Sequence, residues 1–165
     1  MAYIGLGSNL GHSRRRLARA LAELARLPRS RLLAASGNYI SAPVGVGAPQ
    51  PDYVNAVAAL RTELKPGALL ARLHAIERRH GRRRRGEPRN ASRTLDLDLL
   101  LFGRRRLAQP RLTLPHPRMH ERAFVLRPLL DIARTATIPG RGAARSWLHR
   151  VRGQRIGRTR TASWR

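Results

Sequence analysis

Hydrophobic and polar positions follow two periods along this 165-residue chain, and the switches between them outline its elements. Residues 2–8, AYIGLGS, alternate and end in a Gly-bearing turn, which predicts a first strand. Leu17, Leu21 and Leu24 then fall at helical spacing, with Ser13 expected as N-cap and Pro28 as terminator. Residues 31–41 (RLLAASGNYIS) and 53–64 (YVNAVAALRTEL) read as a second and a third strand, separated by a loop dense in Pro and Gly, 42–52. Pro66 opens a second helix with Leu69, Leu73 and Ile76 on its apolar face and Gly81 suited to its C-terminal cap. A second long loop, RRRRGEPRNAS (82–92), leads into a strongly apolar strand, RTLDLDLLLFG (93–103). The order β-α-β-β-α-β predicts an α+β, ferredoxin-like core: an antiparallel sheet with two helices on one face. The last third holds a Pro-rich connection (108–118) and an additional helix around 122–133. A single domain is expected over 1–149. Residues 150–165 are expected to form a basic tail, disordered or loosely docked.

Composition narrows the class. The chain has no cysteine, which excludes disulfides and thiolate metal sites. The N-terminus lacks the order of a signal peptide, because its basic run follows the short apolar stretch, and no apolar run approaches membrane-spanning length. A cytoplasmic location is expected. The net charge is +25, and Lys65 is the one lysine among 34 basic residues. These arginines are spread through helices, loops and tail, so most read as a solvated surface, with weak, salt-sensitive nucleic-acid binding as the general consequence. Local clusters carry more information.

The strand at 93–103 poses the sharpest question. Side chains alternate faces along a strand, so Asp96 and Asp98 share one face, about 7 Å apart, while Leu95, Leu97 and Leu99 share the other. Two carboxylates on an apolar strand need a cation beside them. Hard oxygen ligands without Cys or clustered His suit Mg²⁺ completed by substrate phosphates; pairing with the abundant arginines is the plainer alternative. Arg82, Arg83, Arg84, Arg85, Arg89 and Arg93 in and after the second loop fit a polyphosphate partner. His116, set between prolines and bracketed by Arg111 and Arg122, suits a phosphate or leaving-group contact. Aromatics make up only 4% of the chain, so Tyr53 and Phe124, with Asn55 on the same strand face as Tyr53, stand out as a platform for a flat heteroaromatic ligand. GLGSNLG (5–11) fails the dinucleotide pattern, since no parallel β-α-β unit is expected there.

The stretches YIGLGSNLG, QPDYVNAVAAL, RTLDLDLLLFG and LTLPHPRMHERAFVLRPL, in this order over residues 3 to about 133, resemble the 6-hydroxymethyl-7,8-dihydropterin pyrophosphokinase family of folate biosynthesis. The resemblance implies transfer of the β,γ-diphosphate of ATP to the pterin hydroxymethyl group, with AMP leaving. It implies two Mg²⁺ ions between Asp96, Asp98 and the phosphates, and catalytic roles for Arg82, Arg93 and His116. It implies nucleotide contacts from His74, Glu77, Arg84, Arg89, Arg111, Thr113, His116 and Arg122. It implies a pterin sandwiched by Tyr53 and Phe124, with Asn55 on its polar edge and further bonds near Ser41, Ala42 and Val44. Asn90 and Ser92 depart from relatives that carry an aromatic residue and a proline there, which frees the backbone ahead of Arg93. A monomer without membrane contact is expected.

Two rivals explain less. A basic nucleic-acid-binding module on a ferredoxin-like sheet matches the charge, but it leaves two aspartates on an inner strand and lacks the aromatic RNA-binding stretch. A Mg²⁺-dependent nuclease or nucleotidyltransferase leaves Tyr53, Asn55 and Phe124 without a role.

Overall fold

The structure, a computed structural model, describes residues 1–43, 49–82 and 92–159. Its elements are β1 (Ala2–Ser8), α1 (Ser13–Ala25), β2 (Ser30–Ala35), β3 (Tyr39–Ser41), β4 (Tyr53–Thr62), α2 (Pro66–Arg79), β5 (Asp96–Phe102), β6 (Leu107–Gln109), β7 (Leu112–Leu114), α3 (Ala123–Ile132), β8 (Thr137–Ile138), β9 (Gly142–Ala143) and β10 (Ile156–Arg158), with 3-10 turns at Met119–Glu121 and Ala144–Val151. The main sheet runs β10-β3-β4-β1-β5, every pairing antiparallel, and β2 also pairs with β4. This is the expected ferredoxin-like order with an added helix.

The expected second strand divides in two. Ser36 interrupts it: its N–H donates to Val57 O and its Oγ accepts from Val57 N, both at 2.9 Å. The ten-residue β4 therefore carries β3 along one half and β2 along the other. Ser13 is the first residue of α1, not its cap. His12 holds the cap position without a side-chain bond, and the helix ends at Ala25, ahead of Pro28. Gly81, at φ +81°, closes α2 as expected, its N–H on Arg78 O. The Pro-rich connection contains the β6–β7 hairpin.

Alternation gives the sheet two unlike faces. Ile4 and Leu6 of β1, Ala56, Ala58 and Leu60 of β4, and Leu97 and Leu99 of β5 meet Leu17, Leu21 and Leu24 of α1 and Leu69, Leu73 and Ile76 of α2 in one apolar core. On the other face, Val57 and Leu100 pack beneath α3 through Val125, Leu126 and Leu129. The rest of that second face is a cleft. Residues 150–159 do not trail away: Val151 is buried and β10 extends the sheet. Among the described residues, no helix is long and apolar enough to cross a membrane.

Candidate active site

Register places the cleft. Across the middle of the sheet, Asn55 stands opposite Gly7, and Gly7 opposite Asp96; one row on, Val57, Gly5 and Asp98 line up. The two glycines put no side chain between β4 and β5. A Cβ at Gly7 would sit 3.4 Å from Asn55 Oδ1 and 3.9 Å from Asp96 Cβ, so its absence keeps the floor open. Gly5 and Gly7 form the cleft floor, which the motif reading missed; the signal was two glycines at strand parity on the face shared with Tyr3. The cleft brings together Ser41, Ala42, Tyr53, Asn55, Arg93, Asp96, Asp98, Arg122 and Phe124, all expected, and adds Arg118.

One end of the cleft is largely uncharged. Asn55 is buried and donates to Ser41 Oγ at 2.9 Å, which fixes its amide. Tyr53 is half-buried, and burial raises its phenol above the ordinary value. Phe124, second residue of α3, lines the same cleft, with the Arg122 guanidinium 5.5 Å from its ring centre.

The other end is ionic. Asp96 accepts from both Arg82 Nη1 and Arg93 Nη1. Burial alone would push its carboxyl up, but the two guanidinium groups hold it below the ordinary range. Arg82 is buried rather than extended into the loop. It also donates to Glu77 Oε1 at 2.8 Å and to Leu95 O at 3.2 Å. Glu77, 1% exposed, further accepts from Leu97 N at 2.8 Å. In this conformation Glu77 therefore reaches the cleft through Arg82 and the β5 backbone. Its signal in the sequence was a carboxylate one helical turn after Leu73, on the apolar face of α2.

Asp98 is different. Arg122 Nη1 lies 3.8 Å and His116 Nε2 4.0 Å from its Oδ2. Burial, and then the charge of Asp96, push its pKa to about 7. Its side chain is still 34% exposed, because it lines a concave wall that water reaches. Burial and then the Arg122 charge lower His116 to about 4. Its Nδ1 accepts from Arg118 N at 3.2 Å, so the neutral ring carries its proton on Nε2, toward the cleft. Burial likewise lowers Arg122.

Asn9 ties the two long loops together, and the sequence reading gave it no role. Its Oδ1 accepts from Arg93 N at 2.7 Å, and its Nδ2 donates to Pro51 O at 3.2 Å and Gln50 Oε1 at 3.3 Å. Ser92 Oγ, at the substituted loop position, lies 3.4 Å from the same Nδ2. Not every expected residue gathers here. His74 lies on α2, Arg111 in the β6–β7 turn and Thr113 exposed on β7, none of them lining the cleft. Val44, Arg84 and Arg89, with Arg83, Arg85 and Asn90, lie outside the described residues.

Among the described residues no three His, Cys, Asp or Glu side chains group to hold a metal by themselves. The donor set still fits Mg²⁺, which takes one or two carboxylates and completes its shell with water and substrate phosphates. Asp98, driven toward protonation by burial and then by the Asp96 charge, with its Arg122 partner 3.8 Å away, is the carboxylate such an ion would satisfy.

Comparison with known proteins agrees with this geometry. The solved structure of an HPPK-DHPS in complex with substrates superposes over 90% of this chain with a TM-score of 0.66 at 14% identity, which shows the shared fold; this chain spans 42% of that longer one. The 2-amino-4-hydroxy-6-hydroxymethyldihydropteridine pyrophosphokinase of Pseudomonas aeruginosa is 51% identical over 137 residues, covering 83% of each chain. The enzyme of the same name from Haemophilus influenzae is 47% identical over 141 residues, covering 84% of each. Residues 3–134 match the model of the 7,8-dihydro-6-hydroxymethylpterin-pyrophosphokinase family, and the chain belongs to that family.

Proposed function

We propose that this chain transfers the β,γ-diphosphate of ATP to 6-hydroxymethyl-7,8-dihydropterin in folate biosynthesis. The pterin hydroxyl oxygen attacks the β-phosphorus, the bond from that phosphorus to the oxygen bridging to the α-phosphate breaks, AMP departs, and the hydroxyl proton is lost to solvent or a phosphate oxygen. The carrying observation is one cleft that joins a flat-ring end (Tyr53, Asn55, Phe124) to an ionic end (Asp96, Asp98, Arg93, Arg122), with only glycine between.

Tyr53 and Phe124 stack on the pterin, and Asn55, held by Ser41, meets its polar edge. Arg93 and Arg122 bind phosphate oxygens, and His116 donates from Nε2. Asp96 and Asp98 would hold two Mg²⁺ ions, whose chemistry is to draw charge from the phosphate oxygens. Both Asp96 oxygens are engaged by arginine here, so binding MgATP requires at least one guanidinium to move from carboxylate to phosphate. His74, Glu77, Arg84, Arg89, Arg111 and Thr113 are assigned to the nucleotide side, and Ala42 and Val44 to the pterin side. A cytoplasmic monomer is the accompanying expectation.

The test is AMP release from MgATP with and without the dihydropterin. AMP that forms only with the pterin, matched by pterin diphosphate, is expected. A folded protein that releases none, or releases it equally without pterin, overturns the reading.

A further inference from the structure

We propose that residues 154–158 position the dihydropterin end of the cleft, acting through Gln154 on one wall and Arg155 on the other. The proposal rests on the functional reading above. The segment lies beyond residues 3–134, which the family model matches. Its sequence, QRIGR, carries one apolar side chain, and its importance is visible only in three dimensions.

The first wall is the start of α3, where Arg122 and Phe124 flank Ala123. That helix has no cap of its own: Arg122 at the N-cap makes no side-chain bond. Gln154 supplies the missing partner from 31 residues away. Its Oε1 accepts from Ala123 N at 2.8 Å, and its Nε2 donates to Glu121 O at 2.7 Å. One amide thus bonds the backbone on both sides of Arg122 and immediately before Phe124. With both ends of the amide engaged, its rotation is blocked and the two cleft-facing side chains inherit a fixed origin.

The second wall is carried by Ala42, just after β3, and Asp52, just before β4. Arg155 contacts both. Its carbonyl accepts from Ala42 N at 3.3 Å, and its Nη2 pairs with Asp52 Oδ1 at 2.7 Å. The next residue, Ile156, pairs with Ser41, the hydroxyl that holds Asn55. Arg158 Nε then lies 3.9 Å from Asp131 Oδ2 near the end of α3, the oxygen that also accepts from Tyr39 Oη at 2.9 Å. The segment spans from α3 to Ala42 and Asp52, and its tie to the ionic end is the backbone on either side of Arg122. The Arg155–Asp52 pair is exposed and weak by itself, so Gln154 carries the larger share.

The experiment measures KM for the dihydropterin and for MgATP. It also measures the pterin Kd by pterin fluorescence with a non-hydrolysable MgATP analogue, and thermal melts. Gln154→Ala is expected to raise pterin KM and Kd about five- to tenfold and MgATP KM by a smaller factor, the part transmitted through Arg122. Gln154→Glu, which keeps the acceptor for Ala123 N, recovers part of the loss. Arg155→Ala is expected to cost about two- to fivefold on the pterin alone, and the exchange pair Arg155→Asp with Asp52→Arg to restore it. An unchanged pterin Kd overturns the proposal. So does parallel weakening of both substrates that tracks the melting temperature, which marks a merely structural segment. Should Gln154→Ala not fold, the exposed Arg155 variants decide on the same criteria. Wild-type protein without pterin-dependent turnover fails the functional reading instead, a separate result.

Discussion

The two ends of the cleft rest on different physics. The pterin end is preorganised: Asn55 is bonded, and Tyr53 and Phe124 sit on regular elements. The ionic end is assembled in a waiting state. Asp96 pairs with two arginines, while Asp98, two residues on, has Arg122 at 3.8 Å and a pKa raised to about 7 by burial and the Asp96 charge. The first end selects a ligand by shape. The second stores opposite charges that, on the proposed function, a polyphosphate with its metal would redistribute, coupling binding there to rearrangement.

The strongest way to break this contrast is Asp98→Ala. It is expected to lower turnover at least about a thousandfold, as loss of a principal electrostatic contact at a reacting centre does. Dihydropterin binding should hardly change. Steady-state AMP release together with pterin fluorescence checks both. A Mg²⁺-dependent Asp98→Ala enzyme of near wild-type rate sinks the metal assignment.

Next in size, Glu77→Ala removes one member of a buried ionic set, leaving Arg82 short of its partner and Leu97 N without its acceptor. A loss of about 3 kcal/mol in unfolding free energy is expected, read by denaturant titration. A change below about 1 kcal/mol would show that Asp96 alone satisfies Arg82. At the other end, Phe124→Ala should weaken pterin binding by about 1–3 kcal/mol, the range for loss of a ring that stacks on a heteroaromatic base, with MgATP affinity unaffected. Equal losses for both substrates would erase the distinction between the ends.

Which features were legible in the sequence follows from how far each depends on distant partners. The helix face of the sheet could be read directly, since Leu17, Leu21 and Leu24, and Leu69, Leu73 and Ile76, need only the 3.6 period. Tyr53, Asn55, Asp96 and Asp98 were legible because strand parity fixes their face. The break at Ser36 was not, because its cause is a side-chain bond to Val57, 21 residues away. Asn9 is defined by partners 41 to 84 residues on, and Gln154 by a helix start 31 residues back. Arg82 read as a loop cation because it opens a run of four arginines, although its partner Glu77 stands only five residues back on the apolar face of α2. At Asp96 the plainer expectation holds, with arginine as the cation.

The smallest expected effect is on pH dependence, where two groups of the ionic end oppose each other. Asp98 has a folded pKa of about 7, above its unfolded value of 3.8. The folded state therefore binds more protons, and this contribution to stability is full below about 4 and lost as pH rises through 7. His116 has a folded pKa of about 4, below its ordinary 6.5, so its contribution is full above 6.5 and lost as pH falls toward 4. Between those limits the slopes partly cancel, and the metal-free wild type should show a shallow stability profile. Asp98→Asn should expose the His116 slope, with stability rising from pH 4 to 6.5, and should make the metal-free protein more stable than wild type at pH 8. Added Mg²⁺ should stabilise wild type at pH 8 and leave Asp98→Asn little changed. Melting temperatures across pH, with and without Mg²⁺, read all of this. If Asp98→Asn proves no more stable than wild type at pH 8, the carboxylate is already well compensated without metal, and the contrast between the two aspartates disappears.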